Sequence, residues 1–161
     1  MPLTLTSPSF VDGGRIPARF TCEGVDTSPA LAWSGAPQGT RSFALIVDDP
    51  DAPDPAKPQR TYVHWVLYNI PAEATGLPEG ATPEQLPAGT RHGRNDWNQA
   101  RYGGPCPPIG RHRYFFKLYA LSAGELVGLD TPTKAEVERA IAGHVLEQAT
   151  LMGTYQKGDG D

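Results

Sequence analysis

Three apolar segments with the alternation of β-strands constrain the fold of this chain most strongly. They cover residues 41–47, 62–70 and 113–121 and are rich in β-branched and aromatic side chains. In the first, Phe43 and Val47 share one face while Ala44 and Ile46 share the other, which is typical of a strand buried on both sides. No segment of helical periodicity separates the three. We therefore predict a mainly β fold of antiparallel sheets, not a doubly wound α/β fold.

One clear helix signal stands near the C-terminus. Thr133 and Glu136 have the spacing of a capping box, and apolar residues follow at helical intervals as far as Leu151 or Met152. This pattern predicts a peripheral helix around residues 133–152. The length of 161 residues predicts a single domain that spans residues 1–161.

The amino-acid composition limits the classes of partner that this protein is expected to bind. The net charge of −4 argues against a nucleic-acid-binding surface or an anionic-membrane surface, because both need clustered Lys and Arg. No apolar run is long enough for stable membrane insertion, and no export leader follows Met1. We therefore expect a cytoplasmic protein. The 18 glycines and 17 prolines among strand-like segments favour a loop-rich β protein over a disordered one.

The two cysteines, Cys22 and Cys106, leave two interpretations open. The favoured one is a pair of free thiols in a reducing cytosol. The alternative is one disulfide that ties the Cys22 loop to the Pro-rich loop around Cys106. No CxxC or spaced Cys/His set is present, so we expect no metal site and no cofactor.

Polar residues from three separate segments are candidates for one site. Asp49 and Asp51 follow the first apolar segment between prolines, and His64 lies inside the second. His112 and Tyr114 share one face at the start of the third. We expect the carboxylates to raise the pKa values of the histidines and to favour imidazolium, which would attract an anion. The alternative is a purely structural role, in which the aspartates cap backbone amides of an Asp-Pro turn and the histidine is a hydrogen-bonded core residue.

The loop before His112 reads Gly-Gly-Pro-Cys-Pro-Pro-Ile-Gly over residues 103–110. Pro105 and Pro107 donate no amide hydrogen, so we expect them to shape the rim of a pocket. Amides of Gly104, Cys106 or Gly110 would add to the attraction for an oxyanion.

Two carboxylates and two histidines also fit a second class of function, a hydrolase that uses them as general acid and base. The sequence contains no Gly-x-Ser-x-Gly nucleophile elbow. A third class, an inhibitor that inserts a rigid Pro-rich loop into a protease or kinase, has no target named by the sequence.

Several separated motifs together resemble the phosphatidylethanolamine-binding protein family, and within it the bacterial and archaeal branch described as Raf-kinase-inhibitor-like. The similarity covers nearly the whole chain. The motifs are Ile16-Pro17, Cys22-Glu23-Gly24, Ser28-Pro29-Ala30-Leu31, Trp33, Asp49-Pro50-Asp51-Ala52-Pro53, His64, Tyr102-Gly103-Gly104-Pro105-Cys106-Pro107-Pro108 and His112-Arg113-Tyr114.

The resemblance implies antiparallel sheets with a few peripheral helices and a small anion pocket at one end. By motif position it assigns five residues to the pocket: Asp49, Asp51, His64, His112 and Tyr114. It assigns the rim to Pro105 and to the segment from Pro107 to Gly110. It implies a non-catalytic protein that binds a phosphate, a phosphomonoester or a carboxylate. Regulation of a partner kinase or protease, and pairing as a homodimer, stay open.

Overall fold

The computed structural model describes residues 2–161 and contains two antiparallel sheets. The strands are β1 (Thr4–Thr6), β2 (Leu31–Ser34), β3 (Ser42–Ala52), β4 (Arg60–Pro71), β5 (Gly76–Leu77), β6 (Arg91–His92), β7 (His112–Leu121) and β8 (Val145–Tyr155). Strands β1, β2 and β5 form the smaller sheet in the order β1-β2-β5, and the other five form the larger one in the order β6-β4-β3-β7-β8. The mainly β prediction is confirmed.

The three apolar segments form the centre of the larger sheet. Strand β3 pairs with β4 on one side and with β7 on the other. On one face Phe43 and Leu45 join a core that includes Trp33 of the smaller sheet. On the other face Ala44 and Ile46 pack in a second core with the helix described next. The apolar side chains on the two faces of β3 are thus buried in two separate cores.

The single α-helix, α1 (Lys134–Ile141), begins where the sequence predicts and ends much earlier. Thr133 and Glu136 form the capping box, and Val137 and Ile141 are buried. The predicted continuation to residue 152 is wrong. Gly143 has a positive φ of 83° and turns the chain, and β8 then pairs with β7 along its length.

The pattern that suggested a longer helix also contains a period of two. Ala149, Leu151, Gly153 and Tyr155 are the buried residues of β8, and they alternate with less buried ones. Pairing with the long strand β7 satisfies the backbone of this segment, and this tertiary contact prevails over helical spacing.

The favoured interpretation of the cysteines as free thiols is also wrong for this structure. Cys22 and Cys106 form a disulfide with Cα atoms 5.4 Å apart across a sequence separation of 84 residues. The bridge ties the loop after the 3-10 helix at residues 18–20 to the Pro-rich loop before β7. Helix α1 is far shorter than a bilayer is thick, and no helix within residues 2–161 is long and apolar enough to cross one.

Candidate functional site

A cavity of about 420 Å³ opens where the end of β3, the start of β4, the start of β7 and the Pro-rich loop meet. The pairing register of the strands determines which side chains lie at the inner end of the cavity. Asp49 lies opposite Tyr62 on β4, and Asp48 lies opposite Phe115 on β7, so Asp49 and Tyr114 share a face. The lining residues are Asp49, Ala52, Pro53, Gln59, Arg60, Tyr62, His64, Trp97, Cys106, Pro107, Pro108, His112 and Tyr114.

His112 is held on both ring nitrogens. Its Nδ1 lies 2.6 Å from Asp49 Oδ2, and its Nε2 lies 3.1 Å from the Pro53 carbonyl oxygen and 2.9 Å from that of Ile109. Because carbonyl oxygens only accept, Nε2 carries a hydrogen. One further proton lies between Nδ1 and Asp49, so the pair has no net charge whichever atom carries that proton.

The Asp49 carboxyl is buried beside that ring. Burial raises the pKa of Asp49, while its hydrogen bond to His112 acts in the opposite direction. Its Oδ1 accepts the Asp51 N–H at 2.7 Å. The pair is therefore a rigid, neutral wall of the cavity rather than the free imidazolium that the sequence suggests.

Asp51 lies outside the residues that line the cavity. A register shift follows Asp49 in the β3–β4 pairing, and the Asp51 carboxylate turns to Arg113. It accepts the Arg113 backbone N–H at 2.9 Å and the guanidinium at 2.9 and 3.0 Å. These hydrogen bonds lower the pKa of Asp51. The structure thus separates two carboxylates that the sequence places together.

His64 lies at the inner end of the cavity as a neutral imidazole. Burial lowers its pKa to about 4, contrary to the expected rise. Its Nδ1 donates to the Gly103 carbonyl oxygen at 2.8 Å, so Nε2 is left as the acceptor. The ring packs edge-on against Tyr62, Trp97 and Tyr114, at centroid distances of 5.5, 5.2 and 5.2 Å.

Tyr114 carries the site's unmatched polar group. The residue is 1% exposed, it lines the cavity, and its hydroxyl has no hydrogen-bond partner among residues 2–161. Burial raises the pKa of this phenol well above its ordinary value, so it is an O–H donor at neutral pH. A buried hydroxyl without a partner costs free energy that a ligand oxygen would recover.

The Pro-rich loop supplies one wall, in part as expected. Pro107 lines the cavity together with Cys106 and Pro108, whereas Pro105 and Gly110 lie outside the lining residues. The Pro105 carbonyl accepts the Cys22 N–H at 3.1 Å. Gly110 has a φ of 75°, and its backbone turns the chain into β7.

Two aromatic residues that line the cavity, Tyr62 and Trp97, were not among the site residues predicted from the sequence. Tyr62 and Trp97 pack edge-on at 4.9 Å, and Arg60 lies over the Tyr62 ring at 4.8 Å. Tyr62 could have been found, because it is two residues before His64 on the same strand face. Trp97 could not, because its position depends on a tight turn in which Asn95 accepts the N–H groups of Trp97 and Gln99.

Known proteins resemble this chain over nearly its whole length. The family model described as phosphatidylethanolamine-binding protein matches residues 6–156. The UPF0098 protein of Methanothermobacter thermautotrophicus is 46% identical over 158 residues, which cover 97% of this chain and 100% of that protein. The UPF0098 protein of Aquifex aeolicus is 42% identical, over 94% of this chain and 86% of that protein.

Two crystal structures share the fold closely. A phosphatidylethanolamine-binding protein homologue from Chlamydia trachomatis superposes with a TM-score of 0.87 at 37% identity, covering 97% of this chain and 98% of that one. YbcL of Escherichia coli, described as a new member of the mammalian PEBP family, gives a TM-score of 0.86 at 36% identity, covering 97% of this chain and 99% of that one. The chain belongs to the phosphatidylethanolamine-binding protein family.

Proposed function

We propose that this protein is a non-catalytic binding protein for a small organic molecule that carries a phosphoryl or carboxyl group. The observation that carries the proposal concerns Tyr114: the residue lines the cavity, and its buried hydroxyl has no partner among the described residues. An anionic oxygen is the acceptor that such a donor binds most strongly.

The protonation states at the inner end favour a singly protonated ligand group. The Tyr114 O–H donates to one ligand oxygen, and the neutral His64 Nε2 accepts a hydrogen from another. The Asp49–His112 pair adds no net charge to offset a dianion. A phosphomonoester loses its second proton near pH 6, so the monoanion that fits both groups is the abundant form below about pH 6.

The remaining space fits an organic group. The cavity volume of about 420 Å³ is far larger than one phosphate needs. Tyr62, Trp97, Pro107 and Pro108 all line the cavity. Aromatic and proline rings present apolar, rigid surfaces that favour a flat or apolar group.

The geometry supports binding over hydrolysis. A histidine acts as a general base through a free nitrogen lone pair, and both nitrogens of His112 are committed to Asp49 and to two carbonyl oxygens. His64 keeps a lone pair but has its pKa lowered to about 4, which makes it a weak base at neutral pH.

Calorimetric titration with phenylphosphate tests the proposal. We expect binding that is several-fold tighter at pH 5.5 than at pH 7.5, and weaker binding of inorganic phosphate at both. Absence of binding at millimolar phenylphosphate at both pH values would contradict it. Release of phenol from phenylphosphate would instead favour the hydrolase alternative.

A further inference from the structure

We propose that the Cys22–Cys106 disulfide is a thiol-exchange site that switches the ligand cavity between a rigid and a mobile wall. The effect on affinity rests on the proposed function, whereas the exchange and the wall's mobility do not. Three observations support the inference: the wall is anchored by the disulfide, Cys22 is exposed, and Cys106 lies between two cavities.

The wall formed by residues 106–108 depends on the bridge. Its flanks are fixed, since the Pro105 carbonyl accepts the Cys22 N–H and the Ile109 carbonyl accepts from His112. Between them, residues 106–108 make no hydrogen bond within the described part of the chain. Pro107 and Pro108 cannot donate one. The disulfide is thus the specific link that holds these three residues.

The bridge is accessible from outside. Cys22 is an exposed residue and Cys106 is partly buried. Both line a second cavity of about 250 Å³, together with Gln99 and Arg101. Arg101 and Asp26 place one charge of each sign at this cavity, so its lining side chains carry no net negative charge that would repel a thiolate. The exposed residue Cys22 is therefore where a small thiol would approach the bridge.

The same bridge separates two cavities. Cys106 and Trp97 line both the ligand cavity and the second cavity. Trp97 packs closely on Gly103, where a β-carbon would lie 2.3 Å from the indole ring. The partition therefore consists of one side chain wedged against the backbone and one covalent link, and only the link can be opened by chemistry.

The co-reactant is a low-molecular-weight thiol. Its thiolate attacks Cys22 Sγ, a new S–S bond forms there, and the Cys22–Cys106 bond breaks. The electron pair leaves on Cys106 Sγ, which takes a proton from solvent. A second thiol then attacks the mixed disulfide and releases reduced Cys22 and the oxidised thiol dimer. The protein cystine is reduced and two small thiols are oxidised.

Opening the bridge removes the preorganisation of one wall. Ordering residues 106–108 again on ligand binding costs conformational entropy, although the fixed φ of Pro107 and Pro108 limits that cost. We therefore expect the reduced protein to bind phenylphosphate at least about tenfold more weakly while the sheets stay folded.

The experiment compares oxidised and dithiothreitol-treated protein under native conditions. Thiol exchange is followed by mass spectrometry after incubation with 2-mercaptoethanol and alkylation of the released thiol. Wall mobility is followed by hydrogen exchange of the peptide 103–112, and affinity by titration with phenylphosphate. We expect a mixed disulfide on Cys22, faster exchange in that peptide on reduction, and weaker binding.

The double variant Cys22→Ser, Cys106→Ser is the matched control. It should bind as weakly as the reduced protein and should not respond to dithiothreitol. The proposal is overturned if no mixed disulfide forms on the folded protein, if exchange in peptide 103–112 is unchanged, or if reduction unfolds the whole domain. If the oxidised protein binds no phenylphosphate but the other readouts respond, only the proposed function fails.

Discussion

His112 Nδ1 lies 2.6 Å from Asp49 Oδ2, while Nε2 of the same ring is fixed by the carbonyl oxygens of Pro53 and Ile109. This arrangement makes the inner wall of the cavity neutral and leaves the histidine no free nitrogen. In the proposed function the Tyr114 hydroxyl is then the donor on which ligand binding depends.

The Asp49–His112 pair should tolerate an amide better than a truncation. In Asp49→Asn the amide nitrogen can donate to Nδ1 of a neutral His112, and the amide oxygen can still accept the Asp51 N–H. We expect a loss of about 1 kcal/mol of unfolding free energy for Asp49→Asn and about 3 kcal/mol for Asp49→Ala. Urea denaturation measures both. Equal losses would show that the pair needs a carboxylate at this position.

Tyr114→Phe should separate binding from stability. Removing a buried hydroxyl that has no partner among the described residues leaves the unfolding free energy unchanged or raises it slightly. Affinity for phenylphosphate should fall about tenfold or more, because a hydrogen bond to a charged group is lost.

Tyr155→Phe is the matched control for that change. The Tyr155 hydroxyl donates to Glu23, away from the residues that line the cavity. We expect it to lose about 1–2 kcal/mol of stability and to keep its affinity. If Tyr114→Phe instead destabilises the protein and binds normally, the hydroxyl has a structural role.

The buried His64 should make the protein less stable in acid. Its pKa is lowered from 6.5 to about 4 in the folded state, so the unfolded chain binds more protons between these values. The unfolding free energy therefore falls as pH falls through this window. From pH 7 to pH 4.5 the contribution of His64 amounts to about 2 kcal/mol.

Denaturation curves of the wild type and His64→Asn measure this contribution as the difference between their pH slopes. Asn can still donate to the Gly103 carbonyl oxygen, which His64 Nδ1 does at 2.8 Å. Identical slopes for wild type and His64→Asn would contradict the assignment.

A substitution of Asp51 tests whether this residue belongs to the binding site. Because its carboxylate is paired with Arg113, Asp51→Asn should cost only about 1 kcal/mol of stability, since the Arg113 side chain is 52% exposed and solvent screens the pair. Phenylphosphate affinity should change by less than about twofold. A tenfold loss of affinity would place Asp51 in the binding site, as the sequence motif suggests.

The sequence predicted the centre of the fold because alternation alone reports burial on two faces, as in Phe43 and Ala44. It also brought His112 and Tyr114 to one face through the period of two. It could not separate Asp49 from Asp51, because a register shift in the β3–β4 pairing sends the second carboxylate to Arg113. Such a shift depends on tertiary contacts that spacing does not encode.

The other differences between the sequence predictions and the structure also arise from tertiary contacts. Residues 145–155 satisfy both a helical and a strand pattern, and the long partner strand β7 decides between them. The partner of Cys22 lies 84 residues away, so pairing depends on where two loops meet. Trp97 reaches the cavity through a turn held by Asn95, and no periodicity marks it.

A crystal structure with bound phenylphosphate, grown near pH 5.5, tests the central claim most directly. We predict a phosphoryl oxygen at hydrogen-bond distance, about 2.5–3.0 Å, from Tyr114 Oη, another facing His64 Nε2, and the phenyl ring between Trp97 and Pro107. A phosphoryl group bound at the mouth beside Arg60, with Tyr114 Oη still lacking a partner, would contradict the account.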